Sequence, residues 1–136
     1  GVTLVDIVSA PEMAYTEEDE SHNLITPATE ENHLVLIHAR IGNHAAEEVL
    51  MTIDKEPPEL RTEAGQKYKA INTIARVVQI DSHHPEENRF VPLIRGIQTL
   101  PKGNELEGWL VFDVPKDAKL KRFKWEAGGD IIIIDL

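Results

Sequence analysis

Two short stretches of this chain carry side chains that could do chemistry. The first is Asp81 to Asn88 (DSHHPEEN), where Asp81, His83, Glu86 and Glu87 offer mixed nitrogen and oxygen ligands for Zn²⁺ or a similar ion. In a strand, His83 and His84 would point to opposite faces and could not easily share one ion; in a loop that objection weakens. The second is Glu17-Glu18-Asp19-Glu20, whose hard oxygens suit Ca²⁺, with Glu17, Asp19 and Glu20 as the candidate ligands. It lacks the interleaved Asp, Asn and Gly of a calcium loop. Neither spacing is diagnostic, and the plainer reading of each is a solvated polar loop. The remaining histidines are His22, His33, His38 and His44; His38 falls beside Arg40 and reads as a surface residue.

Catalysis has less to work with. Ser9, Ser21 and Ser82 are the only serines, and none sits in a Gly-x-Ser-x-Gly elbow. There is no Gly-rich phosphate cradle and no His-Glu-x-x-His. Cysteine is absent, which removes thiolate nucleophiles, disulfides and Cys-based zinc sites. No nucleophile, base and orienting group can be named together, so a non-enzymatic chain is expected, with Ca²⁺ or Zn²⁺ as its only candidate cofactors.

Charge narrows the partners. The net charge is −10, and residues 1–39 hold eight acids with no Lys or Arg. Such a surface repels phosphate backbones, so nucleic acid is not an expected partner. Lys116, Lys119, Lys121, Arg122 and Lys124 form a basic arm of the opposite sign, which suits attraction within a subunit or between subunits. There is no run of eighteen apolar residues to span a membrane. The chain opens with Gly1 and carries no leader pattern. It reads as a mature or trimmed form, with membrane attachment only through a removed anchor.

The elements that must position these residues read as strands. Val2–Ser9 is rich in β-branched residues. Asn32–Ile41 alternates, with Val35, Ile37, Ala39 and Ile41 on the face assigned to the core. Glu48–Asp54 follows and is stopped by Pro57-Pro58. Ala64-Gly65 marks a turn, Ile74–Ile80 a strand, and Phe90–Ile97 further extended structure. Gly108–Val114 places Leu110, Phe112 and Val114 on one face, with Gly108 permitting the turn into the strand and Pro115 ending it. Leu120–Trp125 and Asp130–Leu136 form a hairpin around Gly128-Gly129. Residues 10–31, with Pro11, Pro27 and the acidic run, read as a long, peripheral acidic loop. The expectation is one all-β domain over 1–136, a sandwich of seven to nine short antiparallel strands.

The stretch Thr99–Lys116, TLPKGNELEGWLVFDVPK, resembles the signature of a widespread family of small immunoglobulin-like domains of unknown function. These occur on secreted proteins and lipoproteins of bacteria and archaea, and a major secreted immunogenic protein of mycobacteria is a distant relative. The shared pattern is a Pro-Gly-type turn, here Pro101–Gly103, then Gly108 and an apolar strand ending in Val114-Pro115. Leu34–Asn43 resembles the family's early strand, and Thr62–Tyr68 its Gly turn followed by Tyr. The acidic segment 10–31 and the His-His loop depart from the pattern. The resemblance implies an immunoglobulin-like sandwich in a secreted or cell-envelope setting, and no catalytic residues. The resulting expectation is an interaction domain that binds a protein partner or itself. A structural subunit joined by strand addition at the apolar run Ile131–Ile134 and a metal-binding accessory protein are the alternatives.

Overall fold

The computed structural model describes residues 1–127 and 130–136. The expected Gly128-Gly129 turn lies outside the described residues. The elements are β1 (Val2–Ala10), β2 (Met13–Thr16), β3 (His22–Ile25), β4 (Asn32–Gly42), β5 (Glu48–Thr52), β6 (Glu59–Thr62), β7 (Lys67–Lys69), β8 (Val78–Ile80), β9 (Ile97–Pro101), β10 (Glu105–Pro115), β11 (Leu120–Ala127) and β12 (Asp130–Asp135). The described residues are all-β, with no helix, and the named strands pair antiparallel. No helix is therefore long and apolar enough to cross a membrane.

The central sheet has the order β1-β4-β10. Its middle strand β4 pairs on both sides, with Phe112 opposite Val35 and Leu110 opposite Ile37. One face of this sheet packs on the sheet β12-β11-β6-β7, with help from the β5-β9 ribbon. The shared core includes Val35, Ile37, Leu110, Phe112 and Val114, the residues that period-two alternation places inside, together with Phe123 and Trp125. The rings of Phe123 and Trp125 meet edge to face at 6.3 Å, an arrangement worth about 0.5–1.5 kcal/mol beyond their burial.

The other face of the central sheet is also a core. Leu34, Leu36 and Val111 are buried against Met13, Tyr15 and Ile25 of a third sheet, β2-β3-β8, and against Phe90. Two expectations are thereby corrected. The segment 10–31 is not a peripheral loop: Met13, Ala14, Tyr15 and Ile25 are fully covered, and the acidic run forms the tip of the hairpin joining β2 to β3. The strand count rises from seven to nine to twelve, because strands of three or four residues are too short to show a periodicity.

Smaller corrections follow the same logic. Only Val78–Ile80 of the stretch 74–80 is a strand, and Asn72 Oδ1 accepts from the amides of Ile74 and Ala75 in a turn before it. Residues 90–96 are irregular apart from a bridge between Leu93 and Trp109. Gly108 lies inside β10, not at its entrance. A Cβ there would sit 2.7 Å from Pro92 O and 2.8 Å from Ile94 Cγ1, so its role is close approach of the 92–94 backbone. The expected turns do form at Gly65 and Gly103, with φ of 88° and 85°.

Candidate functional site

The third sheet gathers the polar chemistry. His22 opens β3, opposite Thr16 of β2 and Ile80 of β8. The chain leaves β8 at Ile80 and turns back over the same end of the sheet, carrying His83 and Glu87. Asn88 holds that turn in place from a left-handed conformation, φ 64°. Its amide donates to Ala14 O at 2.9 Å, its Oδ1 accepts from Thr16 N at 2.8 Å, and its Nδ2 donates to Thr16 Oγ1 at 3.1 Å. The Asn side chain suits such a position because it both tolerates positive φ and bonds neighbouring backbone.

Glu87 is the centre of the group. Its side chain is 1% exposed, while His22 and His83 are 32% and 69% exposed. His22 Nδ1 donates to Glu87 Oε1 at 2.6 Å, and His83 Nδ1 forms an ion pair with Oε2. The two imidazoles stand edge to face, 6.0 Å apart. Burial pushes the Glu87 carboxyl up; hydrogen bonds from His22 and Thr16 and the charges of His22 and His83 outweigh it, leaving the pKa below its ordinary value. Even so, no donor is aligned on Oε2 in hydrogen-bond geometry.

Of the residues singled out in the sequence for metal binding, only His83 and Glu87 enter this group. Asp81 is exposed and outside it, and Glu86 faces Arg89 at 3.5 Å. Glu17, Asp19 and Glu20 do not converge on a calcium site. Glu17 receives both oxygens' hydrogen bonds from Arg95, at 2.9 and 3.1 Å, and Arg95 also donates to Tyr15 Oη at 3.1 Å. Asp19 Oδ1 accepts from the amide and hydroxyl of Ser21, which lower its pKa. Glu20 is exposed at a positive φ in the turn. His84 pairs with Glu12 at 3.1 Å instead of joining His83. Among the described residues, His22, His83 and Glu87 are the one set of three possible ligands within 4.8 Å of one another. His22 lies far from the loop in sequence; its signal was a polar turn between two short apolar runs, Met13-Ala14-Tyr15 and Leu24-Ile25, which marks a hairpin.

A different feature occupies the far side of the molecule. Among the described residues β12 pairs only with β11, so its outer edge carries unpaired backbone groups there. Ile134 packs on the first core, while Ile131 and Ile133 are 61% and 53% exposed. The basic arm beside it is partly neutralised within the chain: Arg122 meets Asp135 at 3.2 Å and Lys124 lies 3.9 Å from Glu126. No family model, curated protein or solved structure matches this chain.

Proposed function

We propose that the chain is a secreted or cell-surface interaction domain of immunoglobulin-like sandwich type, which works by binding and presents the outer edge of β12 to an extended segment of a protein partner. The observation that carries this reading is the edge itself. An edge strand with one side unpaired among the described residues and two exposed isoleucines offers main-chain bonds for affinity and side-chain contacts for specificity. The immunoglobulin-like assignment is supported by the packing of β1-β4-β10 on β12-β11-β6-β7 around Phe112, Phe123 and Trp125. The exported setting rests on the resemblance carried by Thr99–Lys116.

Asp130 and Asp135 bound the isoleucine run. Two copies paired antiparallel about Ile132 and Ile133 would set Asp130 of one against Asp135 of the other, and like charges directly opposite are unfavourable. The edge therefore favours a partner strand with apolar residues between basic ones over a second copy of itself. Selecting extended peptides from a random library on the whole chain tests this. Binders should carry Lys or Arg around an apolar pair, slow amide exchange along β12, and fail on Ile133→Lys. Peptides that bind Ile133→Lys equally well, or concentration-dependent self-association lost in that variant, would overturn the choice of partner.

A further inference from the structure

A carboxylate taken out of water needs its oxygens satisfied, and Glu87 is covered with one oxygen lacking an aligned donor. His22 Nδ1 meets one oxygen of that carboxylate, and His83 Nδ1 touches the other, the one without an aligned donor. We propose that His22, His83 and Glu87 form a binding site for a divalent transition ion of the zinc class. This site goes beyond the strand-edge reading, and it lies on the opposite side of the central sheet from β12.

The donor set selects the ion. Two histidines and one glutamate match the three-ligand sets of open zinc sites, in which solvent fills the remaining position. Calcium takes six to eight oxygens, and only one carboxylate is present here. Bonds of about 2.0–2.2 Å put the ligand atoms of a tetrahedral ion roughly 3.5 Å apart. The three atoms lie within 4.8 Å of one another, with His22 Nδ1 and Glu87 Oε1 at 2.6 Å, so an ion takes the place of the shared proton and a modest side-chain rotation spreads the histidines from the carboxylate to admit it. His83 can supply it, because its side chain is solvent-exposed on the loop after β8.

The surroundings fix the other two ligands. His22 is held by strand pairing on both sides. Glu87 is placed by the contacts of its neighbour Asn88 to Ala14 and Thr16. An ion bound here joins the start of β3 to the 81–88 loop, two segments that otherwise share only hydrogen bonds and ion pairs at this end. Its remaining coordination position faces solvent beside His83.

The test is titration of metal-free, untagged whole chain with Zn²⁺ by calorimetry, and with Co²⁺ by visible absorption. The expected result is one ion per chain and the intense d–d bands of a low-coordinate Co²⁺ site. His83→Ala, an exposed position that should not perturb folding, is expected to weaken Zn²⁺ binding by more than about tenfold, the loss caused by removing even an outer partner of a ligand. Glu87→Gln should do the same, while His44→Ala, outside the group, should bind as the parent does. Absence of stoichiometric binding, an octahedral Co²⁺ spectrum, or equal affinity in His83→Ala would overturn the proposal. If Glu87→Gln fails to fold, the Co²⁺ spectrum of the parent and the His83→Ala titration still decide it.

Discussion

On one face of β4, Val35, Ile37 and Ala39 meet Phe112, Phe123 and Trp125; on the other, Leu34 and Leu36 meet Met13, Tyr15, Ile25 and Phe90. The first core lies between long strands, eleven residues each in β4 and β10 and eight in β11. The covering layer on the second face uses strands of three and four residues. Strands that short bury too little to set their own register. Charged and amide groups set it instead. Asp113 accepts from Ala28 N, Asn32 Nδ2 and Arg76 at 2.7, 2.8 and 3.0 Å. Arg95 grips Glu17, Asn88 grips Thr16, and Glu87 sits between its histidines. An apolar interface between long strands tolerates change at its surface, whereas a thin layer held by polar clamps concentrates both stability and chemistry in a few side chains.

The difference can be broken from either side. Phe112→Ala, in the first core, should lower the unfolding free energy by about 3–5 kcal/mol, measured by urea denaturation. A loss within about 0.5 kcal/mol, as at surface positions, would show that this face is not a packed core. Asp113→Ala strips an acceptor shared by three donors at the join between β10 and the covering layer. It should cost about 1.5–3 kcal/mol, with faster amide exchange concentrated in β2 and β3. Uniform loss of protection across β4 and β11 would remove the distinction between the layers. Gly108→Ala forces a Cβ against Pro92 O and should cost about 1–3 kcal/mol. Faster exchange of the Trp109 amide, which donates to Pro92 O, should report the displaced 92–94 segment.

The same physics explains what could be read from the residues alone. Val35, Ile37, Leu110, Phe112 and Val114 were legible because long strands repeat their alternation several times. Met13 and Ile25 were not, because each stands in a short apolar run between Pro11 or Pro27 and an acidic turn. His83 and Glu87 were legible as ligand types in one loop. His22 was not, since it comes from β3 and reaches Glu87 only through the β2-β3-β8 pairing. The acidic run looked like a calcium ligand set until Arg95, far along the chain, took Glu17. Gly108 was legible as important and misread in role, because the backbone that needs its missing side chain lies in another segment.

The smallest expected effect is a pH dependence. The pKa of Glu87 lies below its ordinary 4.5, so the ionised group stabilises the fold above that pH, and this contribution is lost as pH falls through the lower folded value. The stability gap between the parent and Glu87→Gln should accordingly shrink in acid. A gap that is constant from neutral pH to pH below the ordinary value would show that the histidine contacts do not favour the carboxylate.

Amide hydrogen exchange of the whole chain with and without Zn²⁺ tests most directly whether polar clamps, with the histidine–glutamate group among them, hold the covering layer. Without metal, the amides of Thr16, Asn23 and Asn88 should exchange faster than those of Val35 and Ile37 in β4. Zn²⁺ should slow them in the parent and leave them unchanged in His83→Ala. Equal protection of both layers without metal, or the same slowing in His83→Ala, would contradict the account.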